Sequence, residues 1–191
     1  MSHSFYNEAE LKSFGFESLG KDVKISKKAS IYFPENLRVG NNTRIDDFCV
    51  ISAGGGISLG DYVHIAPYCG LYGGAGIELQ DFSGLSSRVS LYSVSDDFTG
   101  YSLVGPCVPE KYRRRLKKGK ITLGKFVVVG VASSILPGVS IETGAAIGAH
   151  TLVTRRCEQW SIYSGNPAEK IGRRSEKMLD LAEEFLNSIP K

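Results

Sequence analysis

The sequence is poor in the residues on which several common chemistries depend. It has three histidines, four cysteines, two methionines and one tryptophan in 191 residues. The cysteines, Cys49, Cys69, Cys107 and Cys157, form no CxxC pair, and their wide spacing fits neither a zinc knuckle nor a small disulfide scaffold. Of the histidines, His3 stands at the N-terminus, while His64 and His150 lie 86 positions apart. A metal centre built from histidines on neighbouring segments is therefore not expected, and no metal is. No apolar run approaches the ~20 residues a membrane span requires. The opening MSHSFYNEAELKSF has no basic stretch leading into an apolar one, so no secretory leader is read and a cytoplasmic location is expected. The net charge of +3 is too small to argue for nucleic acid by itself, although it suits an anionic small ligand at a local basic site. At 42% hydrophobic and 23% charged residues, the chain has enough apolar material for one domain with a core.

What the sequence has in quantity is period. Aliphatic residues recur every six positions: Val39, Ile45, Ile51; then Leu59, Ile65, Leu71; then Leu79, Leu85, Leu91. A fourth series, Leu123, Val129, Ile135, Ile141, Ile147 and Val153, runs without a break, and Ile25 and Ile31 start the rhythm. Two positions before these stands a second apolar or small residue, such as Ile57, Val63, Cys69, Ile121, Val127 or Ser133. Six matches neither the helical period of 3.6 nor one long strand. It suits a parallel solenoid in which each hexad is a short strand and a turn, three hexads make a triangular coil, and coils stack at roughly 4.8 Å. Glycine or asparagine at Gly40, Asn41, Gly60, Gly124 and Gly148 is expected to permit the tight corners. Cys49 and Cys69 fall on inward positions and read as small buried hydrophobes.

The rhythm breaks in informative places. The step lengthens by two residues at Ala53–Gly56 and Tyr72–Gly76, where glycine tolerates a bulge. Between Leu91 and Leu123 the chain must leave the stack as a loop, about residues 93–118, and loops of that length are usually functional. Residues 1–20 read as an N-terminal helical segment, with Asn7 as N-cap and Glu10 three positions on. The solenoid is expected over 21–172. Residues 173–191 read as a C-terminal helix with Met178, Ala182, Phe185, Leu186 and Ile189 on one face, closing the open end of the stack or meeting a neighbouring subunit.

The hexads, the glycine-rich corners, the segment ILPGVSIETGAAIGAHTLVTR (135–155) and the stop sequence SIYSGNPAEKI (161–171) together resemble the hexapeptide-repeat acetyltransferases, in the branch that acetylates sugars at oxygen or nitrogen. The resemblance spans roughly residues 20–172. It implies a mainly β, left-handed parallel β-helix, a hand that periodicity alone does not give and that general crossover rules would have reversed. It also implies acetyl-CoA as co-substrate, a sugar acceptor, free or nucleotide-linked, a role in cell-surface polysaccharide synthesis, and a homotrimer with sites between neighbouring prisms. By the same similarity Val131, Ala132 and Ala149 would line the pantetheine arm, Thr154 and Arg155 would sit near the arm or the phosphates, and Lys170 and Arg173 would meet the adenosine phosphates. Trp160 is open to covering the adenine or to simple packing, and Asn166–Pro167 to a cis peptide.

Acyl transfer needs a nucleophile relieved of its proton during attack. Many relatives carry a histidine in the projecting loop; here the corresponding stretch SLYSVSDDFTG offers Asp96 and Asp97 instead. His64, between inward Val63 and Ile65, should point outwards, and it becomes the candidate base with Asp96 and Asp97 orienting it or gripping an ammonium group. His150 reads as structural or close to CoA. A sugar amine, with a pKa near ~8, is partly neutral already, whereas a hydroxyl needs a strong base, so an amine acceptor is favoured over a hydroxyl. The run KYRRRLKKGK (111–120) would suit a nucleotide diphosphate or a solvated surface equally. A non-catalytic β-helix used for assembly is the rival class.

Overall fold

The computed structural model describes residues 4–189, so His3 lies outside the described residues. Three sheets of six, eight and six strands, parallel but for the last strand of the second, form the walls of a triangular prism, a left-handed parallel β-helix. Strands of one wall come from successive coils: in the second wall Arg44–Ile45, His64–Ile65, Gly84–Leu85, Val128–Val129 and Ala146–Ile147 follow one another. Within each hexad two side chains point in and the one between points out, as for Val63, His64 and Ile65. In-register pairing then puts Ile45 against Ile65, Leu85, Val129 and Ile147 in turn. The inward aliphatics of all three walls merge into one buried column, with Ile45, Ile51, Val129 and Ile135 at 0% exposure. Burying each such side chain contributes roughly 1.5–3 kcal/mol. Cys49, Cys69 and Cys157 are buried and unbridged, and Cys107 is exposed.

The corners differ from the simple expectation. Gly40 and Gly60 are not there for a left-handed backbone. A Cβ on Gly40 would stand 2.4 Å from the Gly60 carbonyl carbon, so the corners of stacked coils touch backbone to backbone. The left-handed position comes two residues later and carries Asn42, Tyr62, Phe82 and Phe126, with φ between 54° and 62°. The strain this costs is offset by stacking, since the rings of Tyr62 and Phe82 lie 4.9 Å apart and those of Phe82 and Phe126 5.1 Å apart. Corner amides are satisfied from the next coil: Asn41 N–H donates to Asp61 Oδ1 at 2.6 Å, and Asp61 N–H to Asp81 Oδ1 at 3.0 Å.

Between Ser93 and Lys118 the chain leaves the third wall, and the two ends of this excursion pair antiparallel as Val94–Ser95 with Lys117–Lys118. Helix α1 (Glu8–Ser13) starts with a reciprocal capping box between Asn7 and Glu10. At the other end Glu169–Arg173 is a strand, antiparallel to Ser161–Ser164, and helix α2 (Met178–Ser188) begins after it. Helix α2 rests the edge of Phe185 on Tyr62 and Phe82, on the outer corner between the first and second walls. Its seat is therefore the flank of the aromatic ladder and not the open end of the stack. No helix among the described residues is long and apolar enough to cross a membrane.

Candidate active site

The solenoid turns positions twenty residues apart into neighbours, and this assembles a polar group on the outer face of the second wall. His64 projects outwards beside Arg44 of the coil below. Asp46, also from that lower coil and with its side chain only 10% exposed, grips both: its Oδ1 accepts from Arg44 Nε at 2.6 Å, and its Oδ2 lies 2.8 Å from His64 Nε2. Burial pushes the Asp46 carboxyl up, but the bonds from His64 and Arg44 outweigh it and hold the group below the usual carboxylate range. The partner of His64 is therefore Asp46 and not Asp96 or Asp97. In sequence the signal was the twenty-residue coil, which sets position 44 beside 64; six-residue phase alone conceals it.

One coil above His64 the outward position is Gly84. The missing side chain leaves an open recess of about 340 Å3, lined by His64, Ala66, Gly84, Ser86, Ser87 and Val128. A Cβ on Gly84 would meet nothing nearer than the His64 carbonyl oxygen at 3.9 Å, so the backbone does not require glycine there. Above the recess, the corner between the second and third walls carries small residues between Arg88 and His150. Ala132 takes the left-handed position with φ 57° and donates its N–H to the Ser87 carbonyl at 3.0 Å. Val131 and Ala149 are exposed on the same corner.

The loop forms a second concavity, of about 750 Å3, lined by Tyr92, Val94, Asp96, Asp97, Arg115 and Leu136 among others. Its two aspartates behave differently. Asp97 accepts from the N–H and hydroxyl of Thr99 and from the Tyr101 N–H at 2.9 Å, and the Thr99 bonds foremost hold its carboxyl low. Both of its oxygens are thus spent on shaping the loop. Asp96 accepts only a long bond from the Gly105 N–H at 3.3 Å, and its buried Oδ1 has no partner among the described residues. An unpartnered buried carboxylate oxygen is costly, and this one shares that state with Ser83 Oγ and Arg113 Nε among the described residues. No residue lines both the recess and the loop cavity, so one chain does not unite His64 with Asp96.

The remaining sequence candidates divide into three places. Val131, Ala132 and Ala149 share the corner just described. Thr154 and Arg155 are exposed after Leu152–Val153, on the far side of the third wall, and Arg155 makes no ion pair among the described residues. Lys170 and Arg173 stand on the terminal strand, where Lys170 pairs with Glu158 at 2.6 Å and both line a polar cleft with Arg156. Trp160 is 6% exposed and stacks beside Phe126, so it packs the end of the ladder. His150 occupies a left-handed corner position with φ 54° and is exposed. The Asn166–Pro167 peptide is cis. In the basic run, Arg115 stacks over Tyr101 and Lys120 pairs with Glu78, so these cations are not gathered at one point. Among the described residues no group of three or more His, Cys, Asp or Glu side chains could hold a metal ion.

The chain is 44% identical over 183 residues to the dTDP-4-amino-4,6-dideoxy-D-glucose acyltransferase of Escherichia coli, covering 95% of each chain. AntD, an N-acyltransferase from Bacillus cereus solved with dTDP and 3-hydroxybutyryl-CoA, is 48% identical, with a TM-score of 0.94 over 97% of this chain and 98% of AntD. A maltose O-acetyltransferase from Clostridium difficile, at 22% identity and a TM-score of 0.60 over 88% of this chain and 75% of its own, shares the fold. No protein-family model matches the chain. The coil architecture, the projecting loop and this end-to-end identity make it an enzyme of the hexapeptide-repeat, left-handed β-helix acyltransferases, and within them it belongs to the family of the sugar acyltransferases.

Proposed function

We propose that this protein moves an acyl group, acetyl in the first instance, from acyl-CoA to the amino group of a nucleotide-linked amino sugar. The observation that carries the reading is the likeness, over nearly the whole chain, to an N-acyltransferase whose complex contains a thymidine nucleotide and an acyl-CoA together. The residues suit both ligands. Small side chains at Val131, Ala132 and Ala149 give a thin thioester arm a flat corner to lie on, with Thr154, Arg155, Lys170 and Arg173 as cations and donors around the top of the prism. The corner leads down to the Gly84 recess, which has the room for a reacting carbonyl.

Asp96 is the proton acceptor in this mechanism. The amine attacks the thioester carbonyl carbon, a C–N bond forms, and the tetrahedral intermediate collapses with cleavage of C–S. The proton lost by nitrogen passes to the Asp96 carboxylate and from there to the leaving thiolate, which departs as CoA thiol. A carboxylate suffices because an amine near pKa ~8 needs far less help than a hydroxyl. AntD was also solved with substitutions at an aspartate and at a serine ten positions before it. Ser86–Asp96 and Ser87–Asp97 are the two serine–aspartate pairs at that spacing here, and the unspent oxygen of Asp96 favours the first.

Three copies of the chain complete the site in this reading, with the loop of one prism laid against the recess of the next. Supporting it is a band of exposed aromatics beside the third wall, including Tyr32, Phe48, Tyr68, Tyr72 and Tyr92, each at least 38% exposed. The substrates, both multiply charged phosphates that do not diffuse through lipid, support a cytoplasmic enzyme, and a role in cell-surface polysaccharide synthesis rests on the family resemblance alone. The test is release of free thiol from acetyl-CoA with a panel of acceptors. Nucleotide-linked amino sugars should turn over and their hydroxyl counterparts should not; turnover of hydroxyl sugars alone would reverse the assignment.

A further inference from the structure

The outer face of the second wall changes character at one rung. Its outward residues, stacked in register, are Lys24, Arg44, His64, Gly84, Val128 and Ala146. Below the recess they carry nitrogen bases; from Gly84 upwards they are small or apolar. The lower group is held in shape. Asp46 takes one nitrogen from each neighbour, Arg44 Nε and His64 Nε2, and the Phe5 ring lies over the guanidinium, 5.1 Å from its centroid to Cζ. Among the described residues the guanidinium Nη pair and the imidazole Nδ1 take no hydrogen bond, and they stand on rungs roughly 4.8 Å apart. Solvated surface cations would have to be ordered on binding, at a cost in side-chain entropy; these two are already fixed.

The geometry points to Arg44 and His64, clamped by Asp46, as the seat of the acceptor's diphosphate, with the acceptor running down the second wall from the recess and the thioester arm running up from it. This rests on the proposed acceptor. With the amine in the Gly84 recess, the phosphates fall one to two rungs lower, about 5–10 Å, a span that a single sugar ring fills. The polar group then binds the part of the substrate that does not react, and Asp96 from the neighbouring copy meets the part that does. Asp46 acts through the two side chains it holds, as a positioning residue.

Calorimetric titration of the intact protein with dTDP and, separately, with thymidine tests the assignment. Arg44→Gln and His64→Gln should each weaken dTDP about tenfold to a hundredfold, the range expected for loss of one charge-assisted bond. Thymidine and CoA affinities should stay at wild-type values, and the melting temperature should fall by only a few degrees, because Asp46 keeps one of its two partners in each variant. Unchanged dTDP affinity in both variants overturns the subsite and leaves the acceptor proposal standing. Failure of the wild-type protein to bind dTDP while it binds CoA overturns the acceptor proposal, and the subsite with it. In steady-state assays the substitutions should raise the acceptor KM with kcat little changed. A loss confined to kcat for His64→Gln would make that histidine a base and refute its role as a phosphate ligand.

Discussion

Gly84→Val separates the two uses of glycine in this fold. At Gly84 a new Cβ meets only the His64 carbonyl oxygen, at 3.9 Å, an ordinary contact, and the backbone is not in the left-handed region. Valine also has the higher strand propensity and the lower conformational entropy to lose, together worth up to about 1 kcal/mol. For a chain of this length that corresponds to a melting temperature unchanged or raised by about 2–4 °C. The same side chain fills part of the 340 Å3 recess and displaces whatever reacts there. A displacement on the order of 1 Å costs about 100-fold in rate, so kcat/KM should fall at least that far. Gly60→Ala is the control: its Cβ would stand 2.5 Å from Asp81 Oδ1 and 2.7 Å from the Asp81 backbone nitrogen. Relieving that overlap costs about 1–3 kcal/mol, so Gly60→Ala should melt several degrees lower while the surviving folded protein keeps its turnover number. Thermal melts and thiol release from acetyl-CoA on both variants decide the matter. Wild-type turnover by Gly84→Val would refute the placement of the reaction in the recess, and a sharp fall in its melting temperature would refute the claim of free space.

Asp96→Asn should lower kcat by about 100- to 10,000-fold, the usual contribution of a positioned general base, with little change in CoA affinity; a loss under tenfold would leave the proton to the substrate or the thiolate. If the site is shared between copies, co-assembled Asp96→Asn and Gly84→Val chains should recover activity that neither homogeneous variant has, measured after refolding the two together, and no recovery would place the site within one chain. Burial pushes the Cys157 thiol up to about 11, so at pH 8 its reactive thiolate is scarce. Alkylation followed by peptide mass mapping should therefore modify exposed Cys107 first; early labelling of Cys157 would contradict the packing of the last coil.

Much of the architecture is written in one dimension because a solenoid has nearly one-dimensional physics. Each coil contacts only its neighbours, so a residue's fate follows from its phase in the repeat: Ile65 and Leu85 are inward by count alone, and His64 outward for the same reason. The excursion after Tyr92 announces itself as lost phase, and the cap on α1 is a local hydrogen-bond pattern. Corner chemistry was less legible, since the need for glycine at Gly40 comes from a carbonyl twenty residues away, and stacking rather than glycine sustains the left-handed positions at Tyr62 and Phe82.

The sequence by itself determined the prism, its apolar column and the loop that interrupts it, because periodic burial leaves a trace in every sixth residue. Tertiary structure alone decided that Asp46 and Arg44 are the companions of His64, that Asp97 is consumed by its own loop while Asp96 keeps a free oxygen, and that Gly84 opens a recess. Those outcomes depend on which outward atoms meet across a coil and which donors remain unclaimed, and outward positions carry no periodic signal to read.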